Sequence, residues 1–198
     1  MGLISNGTTV FDNGSMASGF GSSLKFISKA TASASASIEF TSGIDSTYKE
    51  YLFTFNNIHA QTDQTQFQFN LSTDNGSNYN VVKTTTTFDA YHNEADTSSG
   101  LENRTDTLAQ STADVRLNSN QGNGNDESLS GSLTIFNPSS SVFVKHFLGN
   151  TAEYYFNDRF INYYIAGYGN TQSPINAIRF RMSSGNIDAG DICLYGIA

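Results

Sequence analysis

The sequence contains one cysteine, two prolines and no tryptophan, and only 14% of its 198 residues are charged. The lone Cys193 excludes a disulfide framework within the chain and a cysteine-based metal site, and we interpret it as a small buried apolar residue of a strand. Because so few side chains are charged, the polar surface must consist mainly of Ser, Thr, Asn and Gln. These residues compete with the helix backbone for hydrogen bonds, so the composition favours strands and turns.

The charge that is present is mostly negative, with 18 acidic residues against 10 Lys and Arg and a formal net charge of −8. This balance opposes binding to nucleic acid, which depends on cations that neutralise phosphates, and it disfavours anionic membranes for the same reason. No apolar run approaches the roughly 20 residues that span a bilayer, and the first residues lack the features of a signal peptide. We expect one domain made in a cytoplasm, with no nucleic-acid partner and no membrane insertion.

Apolar and polar residues alternate along most of the chain, which is the period of half-buried strands. In Gln66–Ser72, for example, Phe67, Phe69 and Leu71 alternate with polar residues. About nine or ten such segments occur, separated by turn residues. The sequence therefore predicts an all-β fold, an antiparallel β-sandwich with the jelly roll as its expected form. The Asn75-Gly76 pair predicts a β-hairpin after Gln66–Ser72.

Residues 1–30 differ from the rest because Gly and Ser are dense there, yet the segment is too apolar for a free linker. We interpret it as an extended N-terminal docking arm that orders on a partner surface, with an arm folded back on its own domain as the alternative. The residues that we expect to make the contact are Leu3, Ile4, Val10, Phe11, Met16 and Phe20.

The sandwich domain is predicted to comprise residues 31–198. Within it, residues 84–128 are the least patterned: Thr84–Thr87 is predicted to begin a strand, and the segment as a whole is predicted to form long polar loops, a common place for binding surfaces. Residues 31–37, a run of small residues, are predicted to be an edge strand or a closely packed backbone. At the other end, Ile178–Ala198 predicts a closing hairpin that pairs with the Ile38–Ile58 segment, with Asp188 and Asp191 as turn residues.

Candidate catalytic groups are few. None of the three histidines, His59, His92 and His146, has a partner at metal-ligand spacing, and we place His146 on the solvent face of a strand. The Gly-x-Ser-x-Gly motif and phosphate-binding loops are missing. Acid pairs such as Asp188 with Asp191, or Asp126 with Glu127, could serve a glycosidase. With 18 acids such pairs arise by chance, so we expect no enzyme activity, no cofactor and no metal.

Five tyrosines between residues 154 and 168 form the most specific candidate for ligand contact. Exposed tyrosines can stack on sugar rings, whereas tyrosines that alternate along strands more often belong to a core or an interface. The possible glycan-contact residues are Tyr154, Tyr155, Tyr163, Tyr164 and Tyr168.

Several stretches resemble a family of small structural proteins of tailed bacteriophages, especially phages of marine bacteria and cyanobacteria. They span both ends and most of the core, whereas residues 84–128 do not contribute. The stretches are MGLISNGTTVFDNG at 1–14, IEFTSGIDSTYKEY at 38–51, LSTDNG at 71–76, IFNP at 135–138, and 178–197 ending in LYGI.

This resemblance implies a virion component with a β-sandwich body, of the tail-fibre-like or particle-surface kind, and it carries over no catalytic residue. The expected function is a non-enzymatic virion structural protein, anchored by its arm and assembled in the host cytoplasm. We favour the tail or fibre apparatus because long polar loops suit recognition. The alternatives are capsid decoration and a carbohydrate-binding receptor-recognition module. The expected partners are other virion proteins, further copies of the chain (by analogy a trimer) and a host-surface glycan.

Overall fold

The computed structural model describes residues 3–12, 15–16 and 23–198, and within these ranges all regular structure is β-strand. The strands are β1 (Leu3–Ser5), β2 (Thr8–Asp12), β3 (Ser15–Met16), β4 (Leu24–Ser35), β5 (Ile38–Phe40), β6 (Glu50–Ala60), β7 (Phe67–Ser72), β8 (Lys83–Asn93), β9 (Ser99–Asn103), β10 (Val115–Arg116), β11 (Leu129–Phe136), β12 (Lys145–Tyr155), β13 (Arg159–Gly169), β14 (Ala177–Met182) and β15 (Ile187–Ile197).

Two antiparallel sheets form the body of the protein. The large sheet has eight strands in the order β4-β15-β6-β11-β12-β13-β8-β9, and the small sheet has four in the order β10-β7-β14-β5. Strands β1, β2 and β3 form a separate three-stranded sheet. The predicted all-β antiparallel sandwich is confirmed, while the jelly-roll connectivity and the extended arm remain predictions.

The core lies between the inner faces of the two sheets, where the period-2 alternation places large apolar side chains. Phe180 of β14 is central to it, with its ring centroid 5.3 Å from those of Phe53 and Phe55 and 5.7 Å from that of Phe67. All four rings are buried. Aromatic contacts of this kind add specific geometry to the hydrophobic effect that holds the sheets together.

The C-terminal segment departs from its predicted form. Strand β14 belongs to the small sheet and β15 to the large sheet, so the two strands form a corner between sheets and the predicted hairpin is wrong. The predicted pairing partner is confirmed, because β14 pairs with β5 and β15 pairs with β6. Asp188 and Asp191 lie within β15, so the prediction that they are turn residues is also wrong.

The Asn75-Gly76 pair forms the predicted tight turn but no hairpin. Both residues have positive φ, 58° and 86°, and the amide of Ser77 donates to the carbonyl of Asp74 at 3.3 Å. The chain then crosses to the large sheet, where it continues as β8. Local sequence selects the turn type, whereas the core requires the next strand in the opposite layer.

Residues 84–128 are more ordered than predicted. Strand β8 lies inside the large sheet between β13 and β9, so the strand predicted to begin at Thr84–Thr87 is confirmed, while the loop predicted beyond it is wrong where β8 continues to Asn93 and where β9 follows. Beyond β9, residues 115–121 bridge the two sheets, and we call them the bridging segment. Leu117, Asn118 and Gln121 within it are buried. A polar segment can be buried because its polar groups find protein partners. Among the described strands, β4 pairs with β15 alone, so residues 31–35 lie in an edge strand, one of the two forms predicted for residues 31–37.

The predicted docking residues fall in the part of the chain that is described least. Ile4 in β1 is 61% exposed, and the backbones of Leu3, Val10, Phe11 and Met16 belong to β1, β2 and β3. Phe20 lies outside the described residues. Across the described ranges, no helix is long and apolar enough to cross a membrane.

Candidate functional site

Large exposed apolar side chains are concentrated on one surface of the described structure. Three of the ten lie near the N-terminus, and the other seven lie on the outer face of the large sheet or in the adjoining β11–β12 loop. We call these seven the apolar band. Its members are Phe88, Leu101, Val142, Phe143, Leu148, Phe160 and Tyr164.

Strand register brings the band together. Tyr164 of β13 pairs with Phe88 of β8 on one side and with Asn150 of β12 on the other. In the next row, Ala166 pairs with Leu148 and with Thr86. Residues directly opposite on neighbouring strands share a face, so side chains that are far apart in sequence form one continuous surface.

An aromatic stack stands at the centre of the band. The rings of Phe88 and Tyr164 are nearly parallel, 8° between planes, with centroids 4.8 Å apart. Their exposed fractions are 45% and 37%. The stack therefore offers a broad apolar surface that remains open to solvent.

Two adjoining hollows of about 380 and 340 Å³ lie along the band. Thr86, Leu148 and Ala166 line both, the first hollow extends to Phe136 and Tyr168, and the second reaches the aromatic stack. The depression exists because Ala166, with one methyl group, stands in the row between Leu148 and Thr86. A larger residue at position 166 would fill it.

The face around the hollows is uncharged. Among the described residues that line them, none is Asp, Glu, Lys or Arg, and the one imidazole is that of His146 beside Tyr168. His146 is exposed on β12, as predicted. Hydroxyl and amide groups from Thr84, Ser132 and Asn150 complete the lining. The described lining of the hollows is therefore a neutral surface region on a chain of net charge −8.

The structure divides the five candidate tyrosines. Tyr164 and Tyr168 line the hollows. Tyr154 is half-buried, and its hydroxyl donates to Glu94 at 3.0 Å, which raises the pKa of Tyr154 to about 12. Tyr155 packs on the neighbouring ring of Phe156 with centroids 4.5 Å apart.

Tyr163 is the exception among them. It is fully buried in the interior, and burial raises its pKa. A buried ring cannot contact a glycan, so the assignment of Tyr163 to the glycan-contact group is wrong. Successive residues of a strand point to opposite faces, so Tyr163 faces the core where Tyr164 faces solvent. Sequence reasoning also missed Phe88, Leu101 and Leu148, although the alternation in Lys83–Asn93 was a usable signal for the first.

A buried polar cluster lies on the inner side of the large sheet. The carboxylate of Glu153 accepts hydrogen bonds from Asn118 Nδ2 at 2.6 Å and from the amide of Ser119 at 2.8 Å, and burial raises its pKa to about 7. Asp89 lies 3.1 Å from Arg104 Nε, in a charge contact without hydrogen-bond alignment, and burial raises its pKa too. Arg104 also donates to Ser119 Oγ.

This cluster connects strands to the bridging segment, and it is closed to substrates. Glu153 and Asp89 are each 1% exposed, so a ligand cannot reach either carboxylate without opening the sandwich. The cluster therefore acts as a structural tie between β8, β12 and the segment around residues 104–119.

The acid pairs considered from sequence take part in local contacts. Asp191 pairs with Lys29 at 3.2 Å and Asp188 with His59 at 3.3 Å, while Glu127 accepts from the amide of Gly124. Among the described residues, no group of three or more His, Cys, Asp and Glu side chains could hold a metal ion. Cys193 is half-buried on β15, which corrects the prediction that it is a core residue.

The outer face of the large sheet has the chemistry of a binding surface for an uncharged ligand or partner. It offers apolar surface, an aromatic stack and neutral hydrogen-bonding groups around two hollows. No protein family model, no curated protein and no solved structure matches this chain. The residues and the geometry described above therefore carry the functional assignment.

Proposed function

We propose that this protein is a non-enzymatic structural protein of a bacteriophage virion, in the tail or fibre apparatus, whose sandwich assembles with copies of itself through the apolar band. The observation that carries the proposal is the band: seven exposed large apolar side chains around two hollows whose described lining holds no Asp, Glu, Lys or Arg. Contiguous apolar surface of this kind marks interaction sites on soluble proteins. Its place in a virion is supported by the resemblance of the stretches at both ends of the chain.

Electrostatics favour this face for contact between copies. Two chains of net charge −8 repel each other, and the repulsion costs least where the touching surfaces carry no charge. The band meets that condition, and burial of apolar area stabilises a complex by roughly 25 cal/mol for each Å² removed from water. Homo-oligomers are most often closed and symmetric, which would also cover exposed sheet edges.

The decisive variant places a charge in the band. Leu148→Asp, at a position 53% exposed, should convert the oligomer to monomer in sedimentation equilibrium, while circular dichroism should show that the monomer keeps its strands. Phe26→Asp is the matched control, since Phe26 is 61% exposed on the same sheet but outside the band. A wild-type chain that is monomeric at tens of micromolar, or equal loss of association in both variants, contradicts the proposal.

Anchoring in the particle is tested separately. Removing residues 2–23 should prevent incorporation of the protein into particles, measured by mass spectrometry of purified virions, because the apolar arm would be lost. Association through the band should persist in the truncated chain. Normal incorporation of the truncated protein would overturn the proposed role of the arm.

A second function, recognition of a neutral glycan at the same face, is favoured by the two hollows. Each is large enough for about one sugar ring, and Tyr164 and Tyr168 offer ring faces beside Asn150, Thr84 and Ser132. Binding on a glycan array that is lost in Tyr164→Ala but kept in Tyr154→Ala would establish it. Binding to no glycan by the wild-type chain, both assembled and diluted to monomer, would exclude it.

A further inference from the structure

The outer face of the small sheet holds a polar cleft of about 580 Å³. Its floor is formed by outward-facing residues of β7, β10 and β14, and its walls by Tyr79 and residues 106–114. This surface lies across the core from the apolar band, so its chemistry is independent of the proposed assembly face.

Register places two arginines on either side of one glutamine in the floor of the cleft. Gln68 of β7 pairs with Arg116 of β10 and with Arg181 of β14. Neighbouring strands lie about 4.8 Å apart, so the two arginine backbones stand roughly 10 Å from each other. A ligand the size of one sugar ring can contact both guanidinium groups.

Each of these arginines uses only part of its hydrogen-bonding capacity. Arg181 Nε contacts Asp114 at 2.5 Å and Arg116 Nη1 contacts Asp106 at 2.9 Å, and the side chains are 46% and 38% exposed. Among the described residues, no further protein acceptor is bound to their other N–H groups. A guanidinium presents five donors in a fixed fork, so unpaired N–H groups remain available at the cleft.

A third arginine is held rigidly beside them. The guanidinium of Arg179 lies 4.6 Å above the ring of Tyr79 and 3.5 Å from Asp114, and its buried Nε has no hydrogen-bond partner among the described residues. Asp114 is anchored in turn by Asn70 Nδ2 at 2.6 Å. The arginines are thus positioned before any ligand arrives, which lowers the entropic cost of binding.

The cleft is also a local concentration of positive charge. Lys83 lies beneath the floor and donates to Asn70 Oδ1 at 2.6 Å, and burial lowers its pKa only to about 8, so it is still mostly charged at pH 7. With the three arginines, four of the ten cations in the chain gather here, against the two carboxylates of Asp106 and Asp114 in the cleft lining, so the site keeps a net positive charge. In a protein of net charge −8, such a site attracts anions selectively.

We propose that this cleft binds a monosaccharide-sized ligand that carries an oxyanion, such as the carboxylate of a uronic acid. The oxyanion lies between Arg116 and Arg181 and accepts paired N–H groups. Gln68 and Tyr79 supply further polar groups for hydroxyls of the ligand. The site is separate from the apolar band, so it can bind its ligand in an assembled particle.

Calorimetric titration of the full chain with glucuronate, glucose and inorganic phosphate tests the proposal. Glucuronate should bind, its affinity should fall with added salt, and glucose should not bind detectably. Arg181→Gln should weaken glucuronate binding about tenfold or more, the effect of losing a charge-assisted hydrogen bond. Arg159→Gln is the matched control, because Arg159 stacks on Tyr91 away from the cleft.

The three ligands separate the outcomes. Phosphate binding that Arg181→Gln also weakens supports an oxyanion site. Equal binding of glucose and glucuronate, equal loss in the Arg181 and Arg159 variants, or no binding of either anion at millimolar concentration overturns the proposal. The thermal midpoints of both variants should match that of the wild type. If Arg181→Gln unfolds, Arg181→Lys is the second variant, because it keeps the positive charge but lacks the paired donors of a guanidinium.

Discussion

The outer faces of the two sheets obey the same alternation rule but present opposite chemistry. On the large sheet the outward positions include Phe88, Leu148 and Tyr164 around uncharged hollows. On the small sheet they include Arg179 and Arg181, held by acids in a polar cleft. The outward residues of a strand contribute little to the core. They nevertheless decide what each face of a sandwich can bind.

The recesses in the two faces also have different origins. The hollows of the large sheet result from small side chains such as Ala166 between larger neighbours. The cleft of the small sheet is built by a wall, since residues 106–114 rise beside β7 and β10. A recess within a sheet depends on strand register, whereas one made by a segment depends on what holds that segment in place.

The largest expected effect comes from the core that both faces share. Phe180→Ala should lower the free energy of unfolding by about 3–5 kcal/mol, because it leaves a cavity among the surrounding phenylalanine rings. Urea denaturation measures the change, and Phe26→Ala, at a position 61% exposed outside the apolar band, is the control with little effect. Equal changes in the free energy of unfolding for the two variants would contradict the central place of Phe180 in the core.

The next effect concerns pH and should separate the faces. The folded pKa of Glu153, about 7, lies above its ordinary value of 4.5 because of burial. The folded state thus binds a proton more tightly than the unfolded chain does. The resulting stability is complete below pH 4.5 and is lost as pH rises through 7, by about 3 kcal/mol in total. Burial of Asp89, whose pKa is also raised, acts in the same direction.

Because Glu153 holds Asn118 and Ser119, the bridging segment and the cleft wall beside it should loosen at high pH before the apolar band does. Urea denaturation at pH 5 and pH 8 measures the loss, and amide exchange in residues 104–121 locates it. Glu153→Gln should flatten the pH profile. A profile that rises between pH 5 and 7 contradicts this account.

The smallest effect tests the aromatic stack of the band. Phe88→Ala and Tyr164→Ala in a double-mutant cycle should give a coupling free energy of about 1 kcal/mol, the usual value for a stacked pair. The same cycle on Phe26 and Tyr195, an edge-on pair 5.7 Å apart at the other end of the sheet, provides the comparison. If the stack showed no coupling, its rings would be held apart from each other in solution, and the band would lose its rigid centre.

Particular residues show how far the sequence could be interpreted. The alternation in Gln66–Ser72 and the turn at Asn75-Gly76 were correct because each depends on neighbours within a few residues. The predicted hairpins after residues 72 and 182 were wrong, since the strand that follows each turn joins the opposite sheet. A strand joins the sheet in which its apolar side chains are buried. The alternation of residues within the strand does not indicate which sheet that is.

The candidate site shows the same division. Tyr164 and Tyr168 line the hollows, whereas Tyr163, which the sequence grouped with them, is buried. The band could not be predicted, because its members come from five separate segments that only register brings together. The arginines of the cleft were also missed, since Arg179 and Arg181 alone look like the solvent side of an ordinary strand.

By itself, the amino-acid sequence determined the fold class, the strands with clear alternation, the local turns and a surface poor in charge, because each follows from composition or from contacts within a few residues. The tertiary structure alone decided which strands share a sheet, which tyrosines face solvent, and where Phe88, Leu148 and Arg181 find their neighbours. The physical reason is that hydrophobic burial and strand pairing act between residues distant in sequence. Both functional proposals depend on those long-range contacts.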